Sequence, residues 1–367
     1  MLNQNDLREL IDYDATSPIL SIYLNTEPSK GNADVYKLRL RNMLKKIDAP
    51  KDIEIVERYF DHEYDWSGRS VVIFSCAEKN FFRAFPLEVP VHDLINYENH
   101  PTIKPLNALL DDFGGYGVVL VDRQGARLFS FHLGELKEQE GILGEPIHHT
   151  KRGGASAVHG QRGGTAGQTR YEDQTIDRNM KDSADFAAAF FEANKTRRVL
   201  IGGSDENISL FRSQLPKAWQ SLIMGTFPIS MTASHSEVLK KALEIGQAYE
   251  HERESKLVST VITAAAKGAN AVTGLEETLS AINNRKVDTL LIAANFHKEG
   301  YHCPTCGTLT SDPAKPCSVC NKKTNPSPDI IELAVNNVLR FGGDIKIIED
   351  SPDLKEIGNI AATLRYG

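Results

Sequence analysis

Long hydrophobic runs are missing from this sequence. The most extended apolar stretches, residues 118–121 and 290–294, fall far short of the roughly 20 residues that cross a bilayer, so a membrane-spanning helix is not expected. An export signal is missing too, because MLNQNDLRELIDYD places acids where a basic flank and an apolar block belong. A reducing cytoplasm is therefore the expected location, and the five cysteines point to metal rather than to disulfides. Positive charge is not in excess: 42 Lys plus Arg face 49 Asp plus Glu, a formal charge of -7. That balance excludes a uniformly basic nucleic-acid coat while leaving room for a local basic patch. Internal repeats and low-complexity tails are absent. Hydrophobic residues at 41% and charged residues at 25% are ordinary globular proportions, which argues against wholesale disorder. At about 100–200 residues per domain, 367 residues suggest two or three domains.

Three blocks can be read. In the first, residues 18–27 and 69–76 are rich in Val, Ile, Phe and Tyr and predict strands. Between them, 34–47 and 52–62 have helical spacing, with Tyr36, Leu40, Met43, Leu44 and Ile47 on one side. Pro90, Pro101 and Pro105 punctuate a stretch without periodicity that reads as a linker. The second block opens with an antiparallel hairpin, 116–122 and 126–131 around a turn at Arg123-Gln124-Gly125. A glycine-rich stretch follows, then a helix over about 174–194, a strand at 198–202 and a helix at 208–215. Residues 236–267 predict one long helix leading into the third block. There, helices at 275–283 and 329–341 alternate with strands at 287–294, 344–349 and 360–366, which implies a covered, mostly parallel or mixed sheet.

Four of the five cysteines form two matched pairs, Cys303-Pro-Thr-Cys306-Gly and Cys317-Ser-Val-Cys320-Asn. Each C-x-x-C turn brings two thiolates to one metal, and four soft ligands suit tetrahedral zinc. Gly307 and Asn321 after the pairs both tolerate a left-handed backbone. Four sulfur ligands leave no open position for water, so a structural Zn2+ ribbon at 301–322 is expected, inserted between a strand and a helix. Cys76, in an apolar strand, reads as a small core residue.

From Pro146 to Tyr171 there is no carboxylate. This stretch carries Lys151, Arg152, Arg162 and Arg170 with His148, His149 and His159, among six glycines including Gly163, Gly164 and Gly167. Glycine lets backbone approach a ligand closely, and the cations supply donors for phosphate. Neither G-x-x-x-x-G-K-[S/T] nor G-x-G-x-x-G occurs, so this is not a nucleotide P-loop. No Cys and no paired Ser and acid accompany the histidines, which argues against a hydrolytic triad. A loop at 146–171 for RNA or another polyanion remains, with Lys151, Arg152, His159, Arg162 and Arg170 as its RNA-binding residues.

Over roughly residues 105–367 the chain resembles the eukaryotic and archaeal class-1 peptide chain release factors and their pelota-like and bacterial relatives. Leu106-Asn-Ala-Leu-Leu-Asp-Asp-Phe and Gly117-Val-Val-Leu-Val-Asp look like the opening of that family's middle domain. His159-Gly-Gln-Arg-Gly-Gly164, followed by Ala166-Gly-Gln168, is similar to the loop carrying its Gly-Gly-Gln. Thr273-Gly-Leu-Glu-Glu-Thr-Leu, Val287-Asp-Thr-Leu-Leu-Ile and Ala361-Ala-Thr-Leu-Arg-Tyr366 resemble its third domain, where some members insert a metal-binding minidomain. The resemblance implies an α/β protein of three domains in a tRNA-shaped arrangement. These would be an N-terminal α/β domain at 1–100, a middle domain at 101–233, and at 234–367 a C-terminal α/β/α domain of the kink-turn-RNA-binding type holding the zinc ribbon. It also implies Gly163, Gly164, Gly167 and Gln168 as catalytic candidates, the ribosomal A site and rRNA as partners, and a translational GTPase such as elongation factor Tu. A monomer is expected.

The departures from the family pattern narrow the function. Gly163-Gly164 is followed by Thr165, so a strict Gly-Gly-Gln is absent. Tyr171-Glu172-Asp173-Gln174 stands where the family has an arginine-rich helix. Asn32-Ala-Asp-Val-Tyr-Lys37 replaces the stop-codon-reading Asn-Ile-Lys-Ser, so codon-independent binding is expected. One bacterial branch comprises ribosome hibernation factors of the Balon type, which occupy the A site without reading a codon; another cleaves peptidyl-tRNA. Ribosome hibernation or silencing is the expected role, with peptidyl-tRNA hydrolysis in release or rescue as the alternative. An RNA-binding module unrelated to ribosomes is the third reading.

Overall fold

The computed structural model describes residues 2, 4–13, 16–146, 164–312 and 316–366, with the side chains of 4, 112, 138 and 164–170 outside that description. Two units emerge, one of Met1–Asp111 with Glu252–Gly367, the other of Asp112–His251. Among the described residues, no helix is long and apolar enough to cross a membrane.

The first unit begins with α1 (Gln4–Ile11) and the strand β1 (Ile19–Asn25), followed by α2 (Ala33–Leu44), α3 (Pro50–His62), β2 (Ser70–Cys76), β3 (Phe81–Leu87) and β4 (Leu94–Glu98). The strands form an antiparallel sheet in the order β3-β2-β1-β4. Every residue of β1 and β2 is buried. Leu20, Ile22, Leu24, Val71 and Ile73 pack under Leu40, Met43, Leu44, Val56 and Phe60, the helical faces that the 3.6-residue spacing selects. The Asn32 side chain caps α2 by accepting the Val35 N–H. Cys76 is buried, as a core residue should be. The expected linker around Pro90–Pro105 is in fact structured. Its β4 pairs with β1, and α4 (Lys104–Phe113) starts at its end. The prolines flank these elements, and Pro105 sits in a first helical turn, where its missing N–H costs nothing.

The second unit holds β5 (Tyr116–Asp122), β6 (Gly125–His132), β7 (Glu135–Leu143), α5 (Gly164–Ala193), β8 (Val199–Gly203), α6 (Asp205–Gln214), α7 (Lys217–Gln220), β9 (Ile223–Phe227) and the first part of α8 (His235–Ala266). Its sheet runs β7-β6-β5-β8-β9, antiparallel through β5 and parallel from β5 to β9. In the expected hairpin, Asp122 Oδ1 accepts the N–H groups of Gln124 and Gly125, and a Cβ on Gly125 would collide with the Ile142 carbonyl. Helices α5 and α6 cover one face through Met180, Ala184, Phe191 and Phe211. Val238 and Ala242 of α8 cover the other.

The rest of the first unit follows the second part of α8. It comprises β10 (Ala271–Thr273), α9 (Leu275–Asn283), β11 (Val287–Ala293), β12 (Gly300–His302), β13 (Leu309–Thr310), β14 (Asn325–Ser327), α10 (Ile330–Arg340), β15 (Asp344–Ile348), α11 (Pro352–Glu356) and β16 (Ile360–Leu364). A mixed sheet in the order β10-β16-β11-β15 pairs β11 with β15 in parallel and with β16 antiparallel. Val258 and Val261 of α8 and Leu354 of α11 pack on Leu291, Ile348 and Ala361. Helices α9 and α10 pack on strands of the same sheet, giving an α/β/α layering. The strands β13-β12-β14 form a separate small sheet between β11 and α10, where the inserted ribbon was expected.

Candidate functional site

The four cysteines converge. Their Sγ atoms all lie within 4.8 Å of one another. Cys303 and Cys320 are 3.4 Å apart, Cys306 and Cys317 3.3 Å, and Cys306 and Cys320 3.6 Å. Tetrahedral zinc with Zn–S of about 2.3 Å needs sulfur atoms about 3.8 Å apart, so these three pairs need widen only by a few tenths of an ångström to hold it. The two halves are built alike. The Gly307 N–H donates to the Cys303 carbonyl and the Asn321 N–H to the Cys317 carbonyl, each at 2.8 Å. Cys303 and Cys317 donate in turn to the carbonyls of Thr308 and Lys322, each at 2.9 Å. Both turns close through a left-handed residue, Gly307 at φ 73° and Asn321 at φ 57°, the two residue types expected to tolerate it. The Cys320 and Val319 N–H groups favour the Cys317 thiolate, the form a metal binds, while the hydrogen bond to Cys303 pushes the Cys320 thiol up. Asn283 fixes the ribbon to α9, accepting the Leu309 N–H and donating to its carbonyl. Cys303, Cys306, Cys317 and Cys320 thus make a site that fits a structural metal ion such as zinc.

The glycine-rich basic stretch is anchored at both ends by α5. At one end Gly144 donates to the Gln124 carbonyl, and the buried Asn179 accepts the Glu145 N–H while donating to the Glu145 and Arg123 carbonyls. Arg178 pairs with Glu145 at 2.9 Å. At the other end α5 begins at Gly164, fifteen residues before Asn179, about 22 Å along a helix rising 1.5 Å per residue. Tyr171, Asp173 and Gln174 are exposed, and Thr175 is the first buried residue among the described side chains of α5. The expected start near 174 and a loop reaching 171 are therefore corrected. Gly164, Gly167, Gln168 and Arg170 lie in the backbone of the opening turns of a helix. Two glycines cost a thirty-residue helix only about 1 kcal/mol each, too little to stop it. The first four N–H groups of any helix lack intrahelical partners, and the N-terminus carries partial positive charge, so this backbone suits an anion. Lys151, Arg152, His159, Arg162 and Gly163 lie outside the described residues. So do His148 and His149.

A further buried set of groups had no signature in the sequence. Glu332 of α10, 4% exposed, accepts the N–H groups of Ile103 at 2.5 Å and Lys104 at 2.9 Å. These are the entry to α4, so the carboxylate caps that helix from a residue more than two hundred positions away. Burial raises the Glu332 pKa to about 7 against the lowering by these N–H groups and by Lys104. Lys104, 3% exposed, donates to the Phe296 carbonyl. Asp111 at the far end of α4 pairs with Lys346. Nearby, burial raises Glu98 to about 7 and lowers His100 to about 4, with their side chains 3.3 Å apart. A lone Glu on the apolar face of α10 was the only available signal, and it has no local periodicity to mark it.

Comparison with known proteins bears on the second unit. Residues 101–247 match the model of Bacterial archaeo-eukaryotic release factor family 10. Among solved structures, the archaeal translation termination factor aRF1 aligns at 16% identity over 98% of this chain and 96% of its own, with a TM-score of 0.27. Dom34 of S. cerevisiae aligns at 13% over 81% of this chain and 79% of its own, with a TM-score of 0.39. A ribosome-bound archaeal Pelota with ABCE1 aligns at 13% over 99% and 94%, with a TM-score of 0.42. Residues 101–247 of this chain are thus similar to Bacterial archaeo-eukaryotic release factor family 10.

Proposed function

We propose that this protein is a translation factor that occupies the ribosomal A site without reading a codon and silences an idle ribosome. The observation that carries the reading is the release-factor family match over 101–247, a span that contains the carboxylate-free basic stretch and the start of α5. Lys151, Arg152, His159, Arg162 and Arg170 would contact rRNA phosphates near the peptidyl transferase centre, with Gly163, Gly164 and Gly167 permitting close backbone approach. The lack of Asn-Ile-Lys-Ser in the N-terminal block supports codon independence. Residues 1–100, 101–233 and 234–367 would act as three domains, with the last facing a translational GTPase such as elongation factor Tu. The protein would work as a cytoplasmic monomer, with zinc holding the ribbon at 301–322.

A second reading rests on the helical start at Gly164. Free N–H groups in the first turn of α5 would stabilise the oxyanion formed when water attacks a peptidyl-tRNA ester, with Gln168 positioning the water. Gln has no basic group at neutral pH, so positioning is its whole contribution. Sedimentation of tagged protein with ribosomes from growing and from starved cells tests the first reading. Enrichment on ribosomes of starved cells is expected, and free protein in both would contradict it. Gln168→Ala separates the two readings: it abolishes peptidyl-tRNA cleavage under the second and leaves silencing unchanged under the first.

A further inference from the structure

At one end of the C-terminal sheet, four cations and two exposed aromatic rings meet. Arg285 and Lys286 follow α9, Arg340 and Phe341 end α10, and Arg365 and Tyr366 follow β16. The register of β11 against β16 sets Val287 opposite Leu364, bringing the segments after α9 and after β16 side by side. The Arg365 N–H donates to the Lys286 carbonyl at 2.9 Å, and its guanidinium to the Phe341 carbonyl at 2.9 Å. Arg285 lies 4.2 Å over the Phe341 ring, and Lys286 lies 6.0 Å from the Tyr366 ring. Phe341 is 37% and Tyr366 56% exposed, large values for aromatic side chains. Among the described residues, none of the four cations forms an ion pair with a carboxylate, although Asp288 and Asp344 are exposed on the adjoining strands.

The choice of arginine at 285 is itself informative. Helices α9 and α10 end in the same motif. After α9, Arg285 and Lys286 donate to the carbonyls of Ile282 and Ala281. After α10, Gly342 and Gly343 donate in the same pattern to those of Leu339 and Val338. The residue that turns left-handed is Gly342 at φ 71° in one case and Arg285 at φ 56° in the other. Glycine is the unstrained choice at this position, and α10 uses it. The arginine side chain at α9 is thus kept against a backbone preference. Cations near helix C-termini favour the dipole, but Lys or Arg one residue before or after the left-handed position would serve that purpose without strain, and the dipole does not account for the exposed aromatic rings beside them.

We propose that this end of the sheet is a second RNA-binding surface, where Arg285, Lys286, Arg340 and Arg365 contact phosphates and Tyr366 stacks on an unpaired base. Cations interleaved with exposed aromatic side chains are the arrangement that holds single-stranded RNA, phosphate by phosphate and base by base. This surface lies outside the glycine-rich stretch and does not depend on the proposed A-site role.

The test measures binding of the full chain to fluorescent oligouridylate across a salt series. Arg285→Gly, Lys286→Ala, Tyr366→Ala and Tyr366→Phe are compared, each also in an Arg162→Ala, Arg170→Ala background. Arg285→Gly should keep or raise the unfolding temperature, because glycine relieves the backbone, yet weaken binding. Together with Lys286→Ala it should flatten the plot of log affinity against log salt by about 0.7 per lost phosphate contact. Tyr366→Ala should weaken binding about fivefold or more, and Tyr366→Phe should restore it. These effects should appear in both backgrounds. Wild-type affinity and salt slope in Arg285→Gly with Lys286→Ala would overturn the proposal, as would failure of the wild-type chain to bind oligouridylate. Losses caused by Arg162→Ala and Arg170→Ala alone would point to the glycine-rich stretch instead.

Discussion

Removing the Glu332 carboxylate should loosen α4 before anything else. In Glu332→Ala, the N–H groups of Ile103 and Lys104 lose the carboxylate oxygen that accepts them both, in a region where Glu332 itself is 4% exposed. At about 1–3 kcal/mol for each buried donor left unpaired, the local cost is about 2–6 kcal/mol. Glu332→Gln keeps the same acceptor oxygen without the charge and should cost far less. The two variants also separate in pH. A carboxyl raised from 4.5 to about 7 in the folded protein contributes stability that is fully present below pH 4.5 and lost as pH rises through 7. That loss is at most about 3 kcal/mol, from 1.36 kcal/mol per unit. Glu332→Gln should remove this slope. Any opposing slope from His100, whose lowered pKa withdraws stability as pH falls from 6.5 toward 4, remains in both proteins and cancels in the comparison. Hydrogen exchange at Ile103 and Lys104 is the assay, because it reads local opening without assuming two-state unfolding of a chain with two units. Wild-type protection of these amides in Glu332→Ala would show that the carboxylate does not hold the start of α4.

Purified protein should carry one zinc per chain, and Cys306→Ser with Cys320→Ser should lose it; metal analysis finding no zinc, or zinc retained in the variant, would contradict the cysteine site. Chelation should raise proteolysis within 301–322 more than elsewhere, since the small sheet contributes little to the neighbouring core. Asn179→Ala should cost about 2 kcal/mol locally by removing the side chain that holds Glu145 from both its N–H and its carbonyl, and faster exchange at Glu145 would show it. Ribosome binding should be equal with a stop or a sense codon in the A site, and a preference for stop codons would revive a release-factor reading.

Periodicity and turn chemistry made much of the fold legible. The apolar runs of β1, β2, β5 and β11 are buried strands, and the hairpin at Asp122–Gly125 closes as its residues dictate. The cysteine spacing was legible because metal geometry leaves few alternatives. What was misread has physical causes. In β4 all five residues are partly buried, so no alternation marks it, and its proline neighbours mimic a linker. The start of α5 was hidden by Gly164 and Gly167, which punctuate by frequency but weaken a long helix only slightly. Glu332 was invisible because its partners, Ile103 and Lys104, are joined to it by tertiary folding alone. The Arg285 surface was likewise spread over three segments that only tertiary folding unites, through the register of β11 and β16 and the Arg365 hydrogen bond to Phe341.

Competition between the protein and aminoacyl-tRNA for the ribosomal A site is the decisive experiment. Ribosomes with a vacant A site, and the same ribosomes with aminoacyl-tRNA in it, would be sedimented with the purified full chain. The protein should travel with the vacant ribosomes and be released when tRNA fills the site. Equal binding to both would contradict occupancy of the A site.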